Sequence, residues 1–356
     1  MQPTPIKGRG SVSNKTSRFE QLQRESFDDE WAKADDGAVA KPATTVSFET
    51  AKSIISRNDS PDIPFEQSIN PYRGCEHGCI YCYARPTHAY LNHSPGLDFE
   101  TKLYAKSNAA DVLRKTLSNP SYIPKLIALG ANTDPYQPIE RRLRITASIL
   151  AVLEEFNHPV AITTKSASVT QDIELLARMA NKNLVRVFMS VGSLDREIAR
   201  TLEPRASTPG ARINALRTLS NAGIPTGVIV APVIPALTDH DMEKILFSAK
   251  EAGARNAAYV LLRLPLEIAE LFREWLVAHY PLKEAHVMNL VKQMRGGKAY
   301  DADFKTRMRG TGVFANLLEQ RFRKACLKTG LNQTRHPLTT TLFRRPPEDQ
   351  PQLTLF

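Results

Sequence analysis

Long hydrophobic runs are missing from this sequence. No stretch of about 18 apolar residues, the length that crosses a bilayer, occurs in the 356 positions, and the polar start MQPTPIKGRGSVSNK lacks the apolar segment of a secretory signal. Neither a membrane span nor export is expected, so the reading is cytoplasmic. Cysteine is scarce, with four residues in all, three of them crowded into NPYRGCEHGCIYCYARP. So uneven a set makes no disulfide framework; in a reducing compartment it ligates metal or does redox chemistry. Acidic residues are the minority charge, 37 against 47 basic, and the net charge of +10 suits an anionic partner such as nucleic acid. Apart from IERRLR, EQRFRK and FRRPP the basic residues are scattered, which a solvated surface explains equally well.

With 42% hydrophobic residues the chain can build a large core. Residues 1–45 are rich in Ser, Lys, Gln, Asp and Ala and are expected to be a disordered tail. A β-branched run in ATTVSFETAKSIISRND predicts a lead-in arm over 46–66. From 67 to 265, KLIALGA, PVAITTKS, LVRVFMSVG, PTGVIVAPVI and AAYVLLRL read as strands buried on both faces of a parallel sheet. Amphipathic segments lie between them, and with QSINPYRG as the first strand they give six βα units, an α/β sheet wound open or curled into a barrel. GANTDP, TTKS and MSVGS stand just after strands, where ligands sit in such folds. Residues 266–335 read as a helical extension and 336–356 as a loosely ordered tail. Cys326 recurs at helical spacing with Phe314, Leu318 and Phe322, as a buried structural thiol would.

Cys75, Cys79 and Cys82 have the spacing C-x₃-C-x₂-C with no fourth cysteine nearby. Closed zinc sites take four ligands in two close pairs, so zinc would need His77, His88 or His93 to complete it. That reading makes the chain a basic nucleic-acid-binding protein with a structural zinc loop. Three unligated core thiols fit poorly with the polar, turn-prone Gly74, Glu76, His77 and Gly78. A cubic 4Fe-4S cluster held by three thiolates matches the count and leaves one iron open to a non-protein ligand.

The same spacing, with Tyr81 just before the third cysteine and the first strand before the set, resembles the radical S-adenosylmethionine (SAM) enzymes. More narrowly, RGCEHGCIYCYARPTH, NTDPYQPIE, ITTKS and LEPRASTPGARI resemble the spore photoproduct lyase-related branch, over about residues 60–265. The resemblance implies a partial (β/α)6 barrel and a 4Fe-4S cluster on Cys75, Cys79 and Cys82 whose open iron takes S-adenosyl-L-methionine. One electron then breaks the C5′–S bond, and the 5′-deoxyadenosyl radical abstracts hydrogen from a substrate. A small electron-donor protein of flavodoxin or ferredoxin type is implied as reductant.

The resemblance also implies roles for single residues. Tyr81 and Tyr83 flank Cys82 like two tyrosines assigned to radical relay; alternatively Tyr81 packs on the cofactor adenine and Tyr83 lines the loop. The superfamily's Gly-Gly-Glu-like segment is replaced by LGANTDPYQP, so the methionine-binding role falls on Asn132, Thr133 and Asp134, unless the stretch is simply a turn. Lys165 and Ser190 occupy strand tips that meet the SAM carboxylate and ribose, and Glu203 with Arg205 is a further pair, readable also as a salt bridge between the two. Photoproduct lyases carry a hydrogen-donating cysteine after the second strand, where this chain has Ala131, Asn132 and Thr133. Repair of photoproducts is therefore not the favoured reading, unless Cys326 substitutes from its helix.

Overall fold

The computed structural model describes residues 4–20, 42–334 and 337–346. Its strands are β1 (Thr45–Glu49), β2 (Ile55–Arg57), β3 (Gln67–Ile69), β4 (Tyr72–Arg73), β5 (Lys102–Lys106), β6 (Ile127–Leu129), β7 (Val160–Thr164), β8 (Val185–Ser190), β9 (Thr226–Val233) and β10 (Asn256–Leu261). Strands β3, β6, β7, β8, β9 and β10 pair in chain order, each parallel to the next, and β2 adds an antiparallel edge beside β3. The sheet does not close on itself among the described residues, so it is a partial barrel of six parallel strands. A separate three-stranded sheet joins β1, β5 and β4.

The continuous apolar runs explain the strands. In β6 all three residues are buried, and Ile127 pairs with Val160, Ile162 with Val187 and Phe188 with Gly227, which stacks β-branched and aromatic groups on both faces. Each crossover is helical. Thr208 caps the helix Pro209–Asn221 by accepting from Ala211 N, and Asp195 caps Arg196–Leu202 by accepting from Glu197 N and Ile198 N at 2.7 and 3.2 Å.

The helical extension has two parts. The helix Ile268–His279 buries Trp275, Phe272 and Leu276 against Ile198, Leu202 and Ile80, the last of these inside the cysteine loop. Large side chains so buried each contribute roughly 1.5–3 kcal/mol. The helix Gly312–Thr329 packs on Met242–Glu251 and buries Cys326 in the main core, as its spacing predicts.

Parts of the two terminal segments make defined contacts. Residues 4–20 lie on the cysteine loop and on the helix Ile268–His279: Ser13 Oγ donates to Glu274 at 2.6 Å and Arg18 pairs with Glu267 at 2.8 Å. These contacts are polar, with little apolar burial, so the composition of residues 1–45 does not signal them. Near the other end, Phe343 packs on Tyr122, Phe156 and His158, and Arg345 donates to the carbonyls of Asn119, Pro120 and Tyr122 at 3.0–3.1 Å. The rest of both expected tails, residues 1–3, 21–41, 335–336 and 347–356, lies outside the described residues.

Candidate active site

The cysteine loop leaves β4 at the carboxyl end of the parallel sheet and is fastened at several points. Cys75 N donates to Phe99 O at 2.9 Å and Ile80 N to Leu202 O at 3.1 Å, while Gln137 bridges the loop by accepting from Glu76 N at 2.9 Å and donating to Gly74 O at 3.2 Å. Arg85, fully buried, donates through Nε to Cys79 O at 2.8 Å and through Nη2 to Gly78 O at 3.0 Å and Glu100 Oε1 at 2.5 Å. Glu100 in turn accepts from Gly10 N and Ser11 N at 3.0 and 2.8 Å. A Cβ on Gly10 would lie 1.8 Å from Gly78 O, so only glycine lets the N-terminal segment approach this closely.

All three thiols are free; Cys75 and Cys79 are buried and Cys82 is partly exposed. Burial pushes the Cys79 thiol up to about 12, against the pull of Lys165 and Arg212. Three soft donors without a fourth protein ligand, beside two cations, fit an anionic iron–sulfur cluster with one open iron. Among the described residues no three His, Cys, Asp or Glu side chains are arranged to hold a single metal ion. An iron–sulfur cluster would take one thiolate on each of several irons and so would not require such convergence.

Side chains from four strand ends gather around this loop. Gly130, at φ 87°, turns the chain sharply after β6, and a Cβ there would meet Thr163 O at 2.1 Å. Asp134 follows, accepting from Thr164 Oγ1 at 2.6 Å, Lys165 N at 2.7 Å and Tyr136 N at 2.9 Å, with His77 Nδ1 3.3 Å away. Burial alone would raise its pKa, but His77 and these donors outweigh it and hold the carboxyl below the usual range. Lys165 Nζ stands 5.9 Å from the Tyr81 ring centroid and forms no hydrogen bond or ion pair with the described residues. Burial would lower its pKa; Cys79, Glu203, Asp134 and Cys82 raise it instead.

The residues singled out from sequence divide by what their side chains touch. Tyr81 donates to Glu203, and Tyr83, 46% exposed, donates to Ala131 O. Thr133 is buried with its hydroxyl on Tyr72 O at 3.0 Å, and Asp134 is occupied as described. Asn132 N donates to Asn70 Oδ1 at 3.0 Å, and its side-chain amide forms no hydrogen bond with the described residues. Ser190 is buried, its hydroxyl donating to Ala231 O at 3.2 Å. Glu203 and Arg205 do not pair with each other: Glu203 pairs with the buried Arg212 and Arg205 with Glu76 at 2.9 Å. The nearer arginine is displaced because Arg212, on the first turns of its helix, also reaches Ser190 O at 3.0 Å and Ser207 O at 2.7 Å. Arg85, Glu100 and Gln137 were not singled out from sequence, although Arg85 lies in RGCEHGCIYCYARPTH and Gln137 in NTDPYQPIE.

The chain is similar to several known proteins. Uncharacterised proteins of Mycobacterium bovis and Mycobacterium tuberculosis are each 38% identical over 221 residues, covering 62% of this chain and 65% of theirs. The match thus spans just under two thirds of the mycobacterial relatives. One of Methanocaldococcus jannaschii is 27% identical over 213 residues, 60% of this chain and 76% of the relative. The structure superposes on a cysteine-to-serine variant of spore photoproduct lyase with a TM-score of 0.53 at 17% identity, covering 80% and 79% of the two chains, a likeness of fold. The family model of the radical SAM superfamily matches residues 69–249, just over half of the sequence. Because that stretch takes in the three cysteines and strands β6 to β9 with the loops that surround them, the chain belongs to the radical SAM superfamily.

Proposed function

We propose that this radical SAM enzyme carries a 4Fe-4S cluster on Cys75, Cys79 and Cys82 and uses it to cleave S-adenosyl-L-methionine, with an organic substrate as hydrogen donor. The observation that carries the reading is the set of three free thiols on one loop at the carboxyl ends of parallel strands, next to a lysine that forms no hydrogen bond or ion pair with the described residues. When bound, the cluster supplies the electron that breaks the C5′–S bond of SAM and so yields the 5′-deoxyadenosyl radical.

The chain's own residues bind, orient and exclude water. Lys165 offers a charge, without an ion pair among the described residues, for the SAM carboxylate. Asn132 offers a side-chain amide, unbonded among the described residues, for the methionine end. Tyr81, oriented by Glu203, which Arg212 holds ionised, presents a ring for the adenine. Asp134, Thr133 and Ser190 act as positioning residues, since their side chains are engaged with protein groups. Tyr83 stands at the rim, where a relay or a substrate contact is open to it. The reductant is a small electron-donor protein of flavodoxin or ferredoxin type.

Anaerobic reconstitution tests this. The protein should bind about four irons with a broad band near 400 nm and form 5′-deoxyadenosine on reduction with SAM. Alanine at any one of the three cysteines should abolish the cluster, whereas Cys326→Ala should leave iron unchanged. A colourless protein with about one zinc would overturn the reading in favour of a structural zinc loop.

A further inference from the structure

One cation at the mouth of the partial barrel forms no ion pair with the described residues. Arg263 follows β10, and its guanidinium carbon lies 5.2 Å from the ring centroid of Tyr83 and 5.9 Å from that of Tyr300. Its Nε is buried without a hydrogen-bond partner. Its remaining hydrogen bonds go to weak or distant acceptors, the Met308 thioether at 3.5 Å and Tyr300 Oη at 3.4 Å. No carboxylate among the described residues pairs with it. The nearby Asp62 is taken by Arg307, in a bidentate pair at 2.5 and 2.6 Å. Arg295 adds a second buried guanidinium close by, its Nη groups on Leu262 O and Thr306 O.

The surroundings interleave base and ring. The segment Arg295 to Gly310 reads RGGKAYDADFKTRMRG, five basic residues against two acidic, and it is anchored to the end of the sheet by Leu261 N donating to Met308 O at 3.0 Å. Phe304 in it is 45% exposed with Arg307 stacked at 4.6 Å, and Tyr83 is 46% exposed one residue from Cys82. A guanidinium whose Nε is buried without a partner and which meets no carboxylate among the described residues is incompletely compensated, so with exposed rings beside it the arrangement suits a ligand that is both anionic and flat.

We propose that Arg263, Tyr83 and the loop 295–310 form the substrate seat, with Arg263 taking a backbone phosphate of a single-stranded nucleic acid and Tyr83 stacking a neighbouring base. The inference rests on the reading that the cysteine loop carries the radical chemistry, because Tyr83 sets the stacked base next to that loop. A planar guanidinium already aligned with two rings suits a phosphodiester between stacked bases better than it suits a flexible acidic peptide, and the net charge of +10 favours the same partner.

Fluorescence anisotropy of the full-length, anaerobically reconstituted protein with labelled oligothymidylate, and with an oligouridylate of equal length, tests the seat. Binding should weaken with salt, and a preference for either sugar supports the proposal while naming the substrate strand. Arg263→Gln should lower affinity about tenfold or more and reduce the slope of log K against log salt by roughly 0.7 to 1, with iron content unchanged. Arg263→Lys should recover only part, since an ammonium does not stack. Lys298→Gln combined with Lys305→Gln, both exposed and safe for folding, should also flatten the salt slope. Wild-type affinity in Arg263→Gln, or displacement of the strand by polyglutamate of equal charge, would overturn the proposal. A protein that binds the strand through Arg263 yet holds no iron would instead sink the radical reading and leave the seat standing.

Discussion

Arg85 and Glu100 form an ion pair with no solvent contact, and through it the backbone of Gly10 and Ser11 is tied to the carbonyls of Gly78 and Cys79. A segment from the start of the chain therefore braces the loop that carries the three cysteines. The pair sits at the centre of a network in which the carboxylate accepts three donors and the guanidinium reaches two loop carbonyls as well as those of Pro95 and Gly96.

Glu100→Gln keeps the shape but leaves Arg85 charged and buried without a counter-ion, a change that costs about 3–5 kcal/mol. It should lower the melting temperature by several degrees and shorten the lifetime of the reconstituted cluster. Gly10→Ala, remote in sequence, should shorten that lifetime too, because its Cβ collides with Gly78 O. Calorimetry and the decay of the visible band measure both effects; an undisturbed band in Gly10→Ala would mean that the N-terminal segment does not brace the loop.

A second consequence concerns pH. His158 is buried against Tyr122 and Phe343, and burial lowers its pKa from 6.5 to about 4. Between those values the unfolded chain takes up a proton that the folded one refuses, so stability falls as pH drops from 6.5 towards 4 and is retained above 6.5. At pH 5 this group accounts for a loss of about 2 kcal/mol. His88 has the same depression and adds to the slope. Urea unfolding of His158→Phe at pH 7 and pH 5 should show a difference smaller than wild type by about that amount; equal differences would show that His158 titrates normally.

Lys165 allows a sharper test of the cofactor pocket. Lys165→Ala should weaken S-adenosyl-L-methionine binding by roughly ten- to a hundredfold, the loss of a charged hydrogen bond of about 1.5–3 kcal/mol, while iron stays bound. Calorimetric titration of the reconstituted variant checks it. Unchanged affinity would return Lys165 to the role of a charge-balancing neighbour of Cys79 and Glu203.

What the sequence disclosed was local. The cysteine spacing lies within eight positions, and the six parallel strands declare themselves because strands buried on both faces must be apolar throughout. What stayed hidden depends on contacts distant in sequence. Gly10 and Glu100 are 90 positions apart and meet through backbone N–H groups that no side-chain pattern encodes. Glu203 and Arg205 are neighbours of opposite charge, yet a helix nine positions on supplies the partner that Glu203 takes. Arg263 is unremarkable in LLRLPL and becomes informative only once Tyr83, Tyr300 and the absence of a paired carboxylate surround it.

The last prediction separates the likeness of fold from a likeness of reaction. Spore photoproduct lyase shares the architecture at 17% identity, which fixes neither substrate nor chemistry. In this chain the turn after β6 carries Ala131, Asn132 and Thr133, and Ala131 O accepts the Tyr83 hydroxyl, so a backbone carbonyl stands where the resemblance to photoproduct lyases places a thiol. Cys326 is buried in the main core under Phe322 and Leu318, in a different cluster from Cys75 and Cys82. A thymine radical formed at this site would therefore lack a cysteine to return its hydrogen. The reconstituted protein should form 5′-deoxyadenosine without converting dinucleoside photoproduct to two thymines, and a Thr133→Cys or Ala131→Cys variant is the change that would supply a donor. Chromatography of the photoproduct after anaerobic incubation reads the result; catalytic recovery of thymine by the wild type would require Tyr83 or Tyr81 to deliver the hydrogen and would make the missing thiol irrelevant.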